Sequence, residues 1–310
     1  MNKEDIKFMP NDFEFVGDKH DINKDVVIPA KSAWKEGLGI FCQNKGAVLG
    51  AIIILIIIIL AIFAPMLSSW EFDDLNTKLK CIAPNFEHWF GTDTVGRDLW
   101  VRLWTGTRIS LFIAVCAVLI DVVIGTTYGL ISGYFGGAVD SAMQRFQEII
   151  NSIPTLVVLT LLLMVLKASL VTIVIALSFT EWIGMSRIVR AQVLKVKEDE
   201  FVLASRTLGA SHFFIIFKEI LPNIYSQMII MIMMSIPNAI FYEAYLSFVG
   251  LGLPVPNASL GTLINDGFNS FLVYPYMMII PAVVLSILML SFNLFGDGLR
   301  DALDPTMKEM

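Results

Sequence analysis

Beyond residue 45 the chain is a series of long apolar runs separated by short polar stretches. Gly46–Leu67 carries no charge and is long enough to cross the ~30 Å hydrocarbon layer as a helix. Residues 68–107 turn polar, with Pro84 and several Gly and Asp, which predicts a long loop. Ile109–Ile131 predicts a second span, interrupted by Asp121. Gly133–Gly137 reads as a turn and Asp140–Ser152 as an amphipathic lead. A third span, Ile153–Leu166, starts or kinks at Pro154. Leu170–Ile183 makes a fourth, residues 187–220 a charged loop, Ile224–Tyr242 a fifth span carrying Pro237, and Tyr276–Leu294 a sixth. Residues 1–45 are a polar, Lys-rich tail with a surface-lying piece near Ser32–Phe41, and Asp297–Met310 is a second polar tail.

Composition agrees with this pattern. The chain has 310 residues, 56% hydrophobic and 16% charged, whereas soluble domains carry about 25% charge. The expected fold is all-α, a polytopic membrane protein with six transmembrane helices. The net charge of −6 gives nucleic acid no purchase, and lipid is the expected surround. Cys42, Cys81 and Cys116 are scattered with no C-x-x-C pair, so neither a metal site nor a disulfide framework is indicated. The first apolar run is too long for a signal-peptide core and is expected to stay as an anchor. Lysines 3, 7, 19, 24, 31, 35 and 45 fill the first tail. Arg187, Arg190, Lys195, Lys197, Arg206 and Lys218 fill the long internal loop, and no Lys or Arg occurs from Glu219 to Leu299. Basic loops stay cytoplasmic, so both termini are expected inside the cell membrane. Lys78, Lys80, Arg97, Arg102 and Arg108, in or beside the 68–107 loop, fit that side less well, and the parity of six spans places this loop outside.

No G-x-x-x-x-G-K-[ST] occurs, nor any Gly-Lys pair, so no phosphate loop for ATP is present. H-E-x-x-H is absent too. If such a chain moves a solute, it needs an ion gradient or an energised partner. Asp121, Glu181 and Glu243 are the ionisable candidates for ion coupling, and none sits in a polar run.

Four stretches carry a resemblance. They are His88-Trp-Phe-Gly-Thr-Asp-Thr-Val-Gly-Arg-Asp98, followed by Arg108-Ile-Ser110; Trp182-Ile-Gly-Met-Ser-Arg-Ile-Val-Arg190; the loop 201–222 with Ala204-Ser205, Gly209 and Ile220-Leu-Pro222; and Glu243-Ala-Tyr-Leu-Ser-Phe-Val-Gly-Leu-Gly-Leu-Pro254 with Ser259-Leu-Gly261. Asp304-Pro305 also fits. In this order they resemble the C-type membrane subunit of bacterial oligopeptide and dipeptide ATP-binding-cassette importers. Leu203 and the polar Asn151-Ser-Ile-Pro154 depart from that pattern.

The resemblance implies the type I importer permease fold. It divides the chain into an N-terminal tail (1–45), a first helix (46–67), an extracytoplasmic loop (68–107), a permease core (108–296) with coupling loop 187–222, and a C-terminal tail (297–310). It implies a non-catalytic subunit without cofactor, ATP and Mg being bound by two separate ATP-binding subunits. A homologous second permease subunit, an extracytoplasmic peptide-binding receptor and a peptide substrate complete the implied partners. Ala204, Ser205, Arg206, Thr207, Leu208, Gly209, Ala210 and Ser211 become the expected ATPase-coupling residues. Asn151, Met234, Asn238 and Glu243 become candidates for the translocation path. Each has a plainer reading: Gly209 as a helix stop, Arg206 as a headgroup anchor, Glu243 as a cap at the outer end of its span, the cluster Met228, Met231, Met233 and Met234 as packing. Dipeptides, nickel complexes or another small solute are alternative cargoes, and an ion-coupled carrier or membrane enzyme is the alternative class.

Overall fold

The computed structural model describes residues 33–303. The lysines at 3, 7, 19, 24 and 31, and Asp304-Pro305, lie outside the described residues. Within them the chain is helical, and its only β feature is an isolated bridge between Thr92 and Asp98. Five helices are long and apolar enough to cross a membrane, and a bent pair makes a sixth.

Helix α1 (Ala33–Gln43) is the expected surface piece. It rests on the last helix, α11 (Tyr276–Leu303), with Phe41 and Phe295 edge to face at 5.5 Å. Helix α2 (Lys45–Phe63) starts where the Asn44 side chain accepts from the Ala47 N–H at 3.1 Å. That bond satisfies one of the free donors of its first turn. Apolar residues surround it, and Ile52, Leu55, Ile56 and Ile59 stay exposed, as a lipid-facing helix requires.

Helix α3 runs over 37 residues, Leu99–Phe135, capped by Asp98. Its start lies ten residues before the expected span, so the polar loop ends at residue 98 rather than 107. Hydropathy hid this turn because Arg102, Thr105, Thr107 and Arg108 interrupt it, yet Val101, Leu103 and Trp104 are buried. At 1.5 Å per residue α3 is about 55 Å long and rises well beyond the hydrocarbon. The expected amphipathic lead is α4 (Gly137–Asn151) and the expected third span is α5 (Thr155–Leu166), the two bent by 75°. Pro154 sits at the bend, where it lacks a helical donor and pushes its predecessor out of the α region. Helix α6 (Leu170–Val196) opens on a Ser169–Thr172 capping box and extends past the expected end at Ile183. Likewise α11 runs to Leu303, so the expected tail is helical from Asp297 to Leu303.

Helices α3 and α6 form the tightest seam. Gly125, Gly129 and Gly133 present a groove into which Met185, Ser186, Val189 and Val193 fit. A Cβ on Gly129 would stand 2.6 Å from the Ser186 carbonyl oxygen. In hydrocarbon, where apolar burial gives helices no reason to associate, such close backbone approach supplies the packing that does.

Candidate functional site

After α6 the chain makes helix α7 (Glu200–Thr207). It then turns and enters α8 (His212–Phe214), a wider π turn (Ile215–Ile220) and α9 (Leu221–Leu246). The turn is a Schellman closure. Gly209 N–H donates to the Arg206 carbonyl and Ala210 N–H to the Ser205 carbonyl, each at 3.1 Å. Gly209 holds φ +82°, a left-handed conformation that glycine enters cheaply. Ser211 then caps the next helix, its Oγ accepting from Phe214 N–H at 3.3 Å. This helix is the start of a longer one that runs on through α9 to Leu246.

The expected coupling residues come together on one surface. Ala204, Arg206, Thr207, Leu208, Gly209 and Ser211 are exposed, Ser205 and Ala210 half-buried. Leu208 is 86% exposed and Phe213 71%, the Phe213 ring lying 4.4 Å from that of Phe217. The other side of the hairpin is fixed. Val202 is buried against Ile215 and Ile220, and Ser205 Oγ donates to Glu219 at 3.3 Å. Tyr134, near the end of α3, pairs its hydroxyl with His212 Nδ1 at 2.7 Å, and the Arg206 guanidinium lies over its ring at 5.8 Å. The hairpin therefore holds the end of α3 as well as leading into α9. Nearby, Arg190 grips Asp140 with two bonds of 2.6 and 2.5 Å, tying α6 to α4.

The four path candidates differ in exposure. Asn151 is exposed at the α4–α5 bend, Met234 half-buried and Asn238 exposed on α9. Glu243 departs from the expectation. It is fully buried, its carboxylate accepting from Ser110 at 2.7 Å and Ser247 at 2.8 Å. Ser110 Oγ also accepts from Leu260 N–H. A carboxylate enclosed this way braces α3, α9 and α10 (Leu260–Asn269) and does not face a path. Asp121 is buried with Oδ1 unpartnered.

At the other end of α3 a charged cluster ties the segment before it to α10. Arg97 Nε binds Asp93 at 2.6 Å. Arg102, 1% exposed, donates to the Phe72 and Pro256 carbonyls at 3.1 and 3.4 Å. Asp266 on α10 stands 3.7 Å from Arg97 and 3.9 Å from Arg102. Burial pushes its carboxyl above the usual range, while Arg102 and Arg97 pull it back.

Comparison with known proteins settles the class. A family model described as binding-protein-dependent transport system inner membrane component matches residues 125–309. A second, the N-terminal TM domain of oligopeptide transport permease C, matches residues 32–82. The chain belongs to this permease family. An oligopeptide transport system permease protein of Bacillus subtilis is 45% identical over 94% of this chain and 95% of its own length. A dipeptide transport system permease protein of the same organism is 44% identical over 86% of this chain and 83% of its own. Among solved structures, the inward-facing MetNI methionine ABC transporter aligns with TM-score 0.53 at 21% identity, over 65% of this chain and 96% of that one. It shares the fold.

The permease is thus an all-α, multi-pass membrane component of a transport system, with the type I importer fold that its sequence suggested. Its sequence did not expose Tyr134 and His212, 78 positions apart, or the pairing of Asp140 with Arg190, 50 apart. Arg190 registers in sequence only as a topological cation. The one signal was its place in the Trp182–Arg190 stretch, which marks the residue without naming its partner.

Proposed function

We propose that the permease forms half of the path of an ATP-driven peptide importer and takes its energy from separate ATPase subunits. The observation that carries this is the exposed Schellman hairpin 200–214. Such a hairpin costs exposed apolar surface at Leu208 and Phe213, and large exposed apolar side chains mark protein contacts. Its rigid inner side, held by Val202, Glu219 and Tyr134, suits it to pass a push into the helices. Peptide as cargo rests on the oligopeptide and dipeptide relatives, whose near-equal identities support the class and not a length. A homologous second permease subunit and an extracytoplasmic receptor follow from the same relatives. ATP and Mg belong to the ATPases, since the sequence has no phosphate loop of its own.

In this reading the hairpin and both termini are cytoplasmic and the 68–98 segment lies outside. A cysteine at Ser211 tests orientation and docking together, once Cys42, Cys81 and Cys116 are removed. It is expected to react with an impermeant thiol reagent from the cytoplasmic side alone and to be shielded when the ATPases are bound. A cysteine at Thr77, exposed in the outer segment, is expected to react from outside and stay unshielded. Equal labelling of Ser211→Cys with and without ATPases argues against docking there.

A further inference from the structure

A cavity of about 400 Å³ opens at the outer end of the permease, away from the coupling hairpin. It lies in the size range of small-ligand sites. Arg102 lines it, and Ser247, Asn257, Thr262, Asn265 and Asp266 are its other polar side chains.

These polar groups carry both donors and acceptors. Asn265 gives one N–H of its Nδ2 to the Phe248 carbonyl at 2.5 Å and keeps a second N–H and its carbonyl oxygen. Asn257 likewise gives one N–H to the Pro254 carbonyl at 3.4 Å. Thr262 gives its hydroxyl proton to the Ser259 carbonyl at 3.0 Å. Of the four charges in this cluster, a solute can touch only one. The Asp266 side chain is 47% exposed, against 9% or less for Arg97, Arg102 and Asp93. The two guanidiniums sit behind the carboxylate and fix its position. No Lys or Arg occurs from Glu219 to Leu299, so these loops bring no cation of their own to the mouth.

A pocket whose one accessible charge is a carboxylate fits a compact cation with several N–H donors, and a primary ammonium has three. We infer that Asp266, with Asn265 and Asn257, receives the free α-amino group of an incoming peptide at the outer mouth. This rests on the peptide-import reading. The receptor would then release its cargo amino end first toward α10, and the buried Arg102, bonded to Pro256, would keep the 252–257 loop in place around it.

The test uses the complete transporter in proteoliposomes, with receptor preloaded to equal occupancy with alanine pentapeptide or its N-acetylated form. Wild type is expected to import the free-amino peptide about tenfold faster, the scale of one charge-assisted hydrogen bond. Asp266→Asn is expected to slow the free-amino peptide alone and so erase the preference. Asp266→Glu retains it, and Asn257→Asp, which adds a second carboxylate at the mouth, strengthens it. These two variants carry the test if Asp266→Asn fails to accumulate in the membrane. The inference is overturned if Asp266→Asn slows both peptides by one factor, if receptor binding weakens in that variant, which points to a receptor lysine in the pocket, or if the preference is unmoved in all three variants. Failure of the wild-type transporter to import either peptide would instead remove the peptide reading, and this inference with it.

Discussion

Proline in place of Gly209 is expected to abolish uptake while leaving the permease inserted at normal abundance. Gly209 turns the chain between α7 and α8 at φ +82°, and proline is held near −65°. The substitution also removes the N–H that donates to the Arg206 carbonyl. Both losses fall on the Schellman closure, so the exposed Leu208 would leave its place in the turn. Insertion is spared because the residue is exposed and belongs to no span. Gly209→Ala separates backbone from bulk. A Cβ there meets nothing within 4 Å, so its only penalty is the left-handed conformation, roughly 1 kcal/mol. Uptake by the alanine variant is expected to be reduced but measurable. Immunoblots of membranes and radiolabelled peptide uptake read both variants, and full uptake by the proline variant at normal abundance would contradict a coupling role for this turn.

The second large effect lies at the α3–α6 seam. Gly129→Leu is expected to remove most of the permease from the membrane. Its Cβ alone would stand 2.6 Å from the Ser186 oxygen and 2.8 Å from Val189 Cβ, and neither backbone nor β-branched carbon can swing away. Overpacking costs about 1–3 kcal/mol where a core can adjust. Here two long helices must separate, and the seam positions the α6 end from which the coupling hairpin hangs. Gly129→Ala is expected to show the same defect in smaller degree. Gly184, on the same α6 helix, faces open space, and a Cβ added there would meet nothing within 4 Å. Gly184→Ala is therefore expected to accumulate normally. Steady-state abundance and detergent-solubilised melting temperature would check all three, and equal abundance of Gly129→Leu and wild type would show that the seam is not what joins these helices.

Much of the architecture was legible in the sequence because a bilayer imposes simple rules. A charge-free run such as 46–67 has one reading. What hydropathy could not show was helix beyond the hydrocarbon. The first turns of α3, the end of α6 and the end of α11 are helical but polar, so the apolar signal stops before the hydrogen bonding does. Gly209 was legible for a different reason: a glycine between two helical patterns points to a left-handed turn, and the structure has one. Glu243 was not, since a lone carboxylate in a span reads as functional until its partners are seen. Ser110 lies 133 residues away, and no local pattern connects them. The same distance problem hid Asp266, whose neighbours Arg97 and Arg102 belong to another segment altogether.

The central claim is that this chain is a path without an engine. Reconstitution tests it most directly. The purified permease, alone in liposomes, is expected to hydrolyse no ATP and move no peptide. Addition of the second permease subunit and receptor is expected to change neither result. Uptake is expected to begin only when the two ATPase subunits and Mg-ATP are supplied, and to stop on their removal. Peptide accumulation driven by an ion gradient without ATPases, or ATP hydrolysis by the isolated chain, would contradict it.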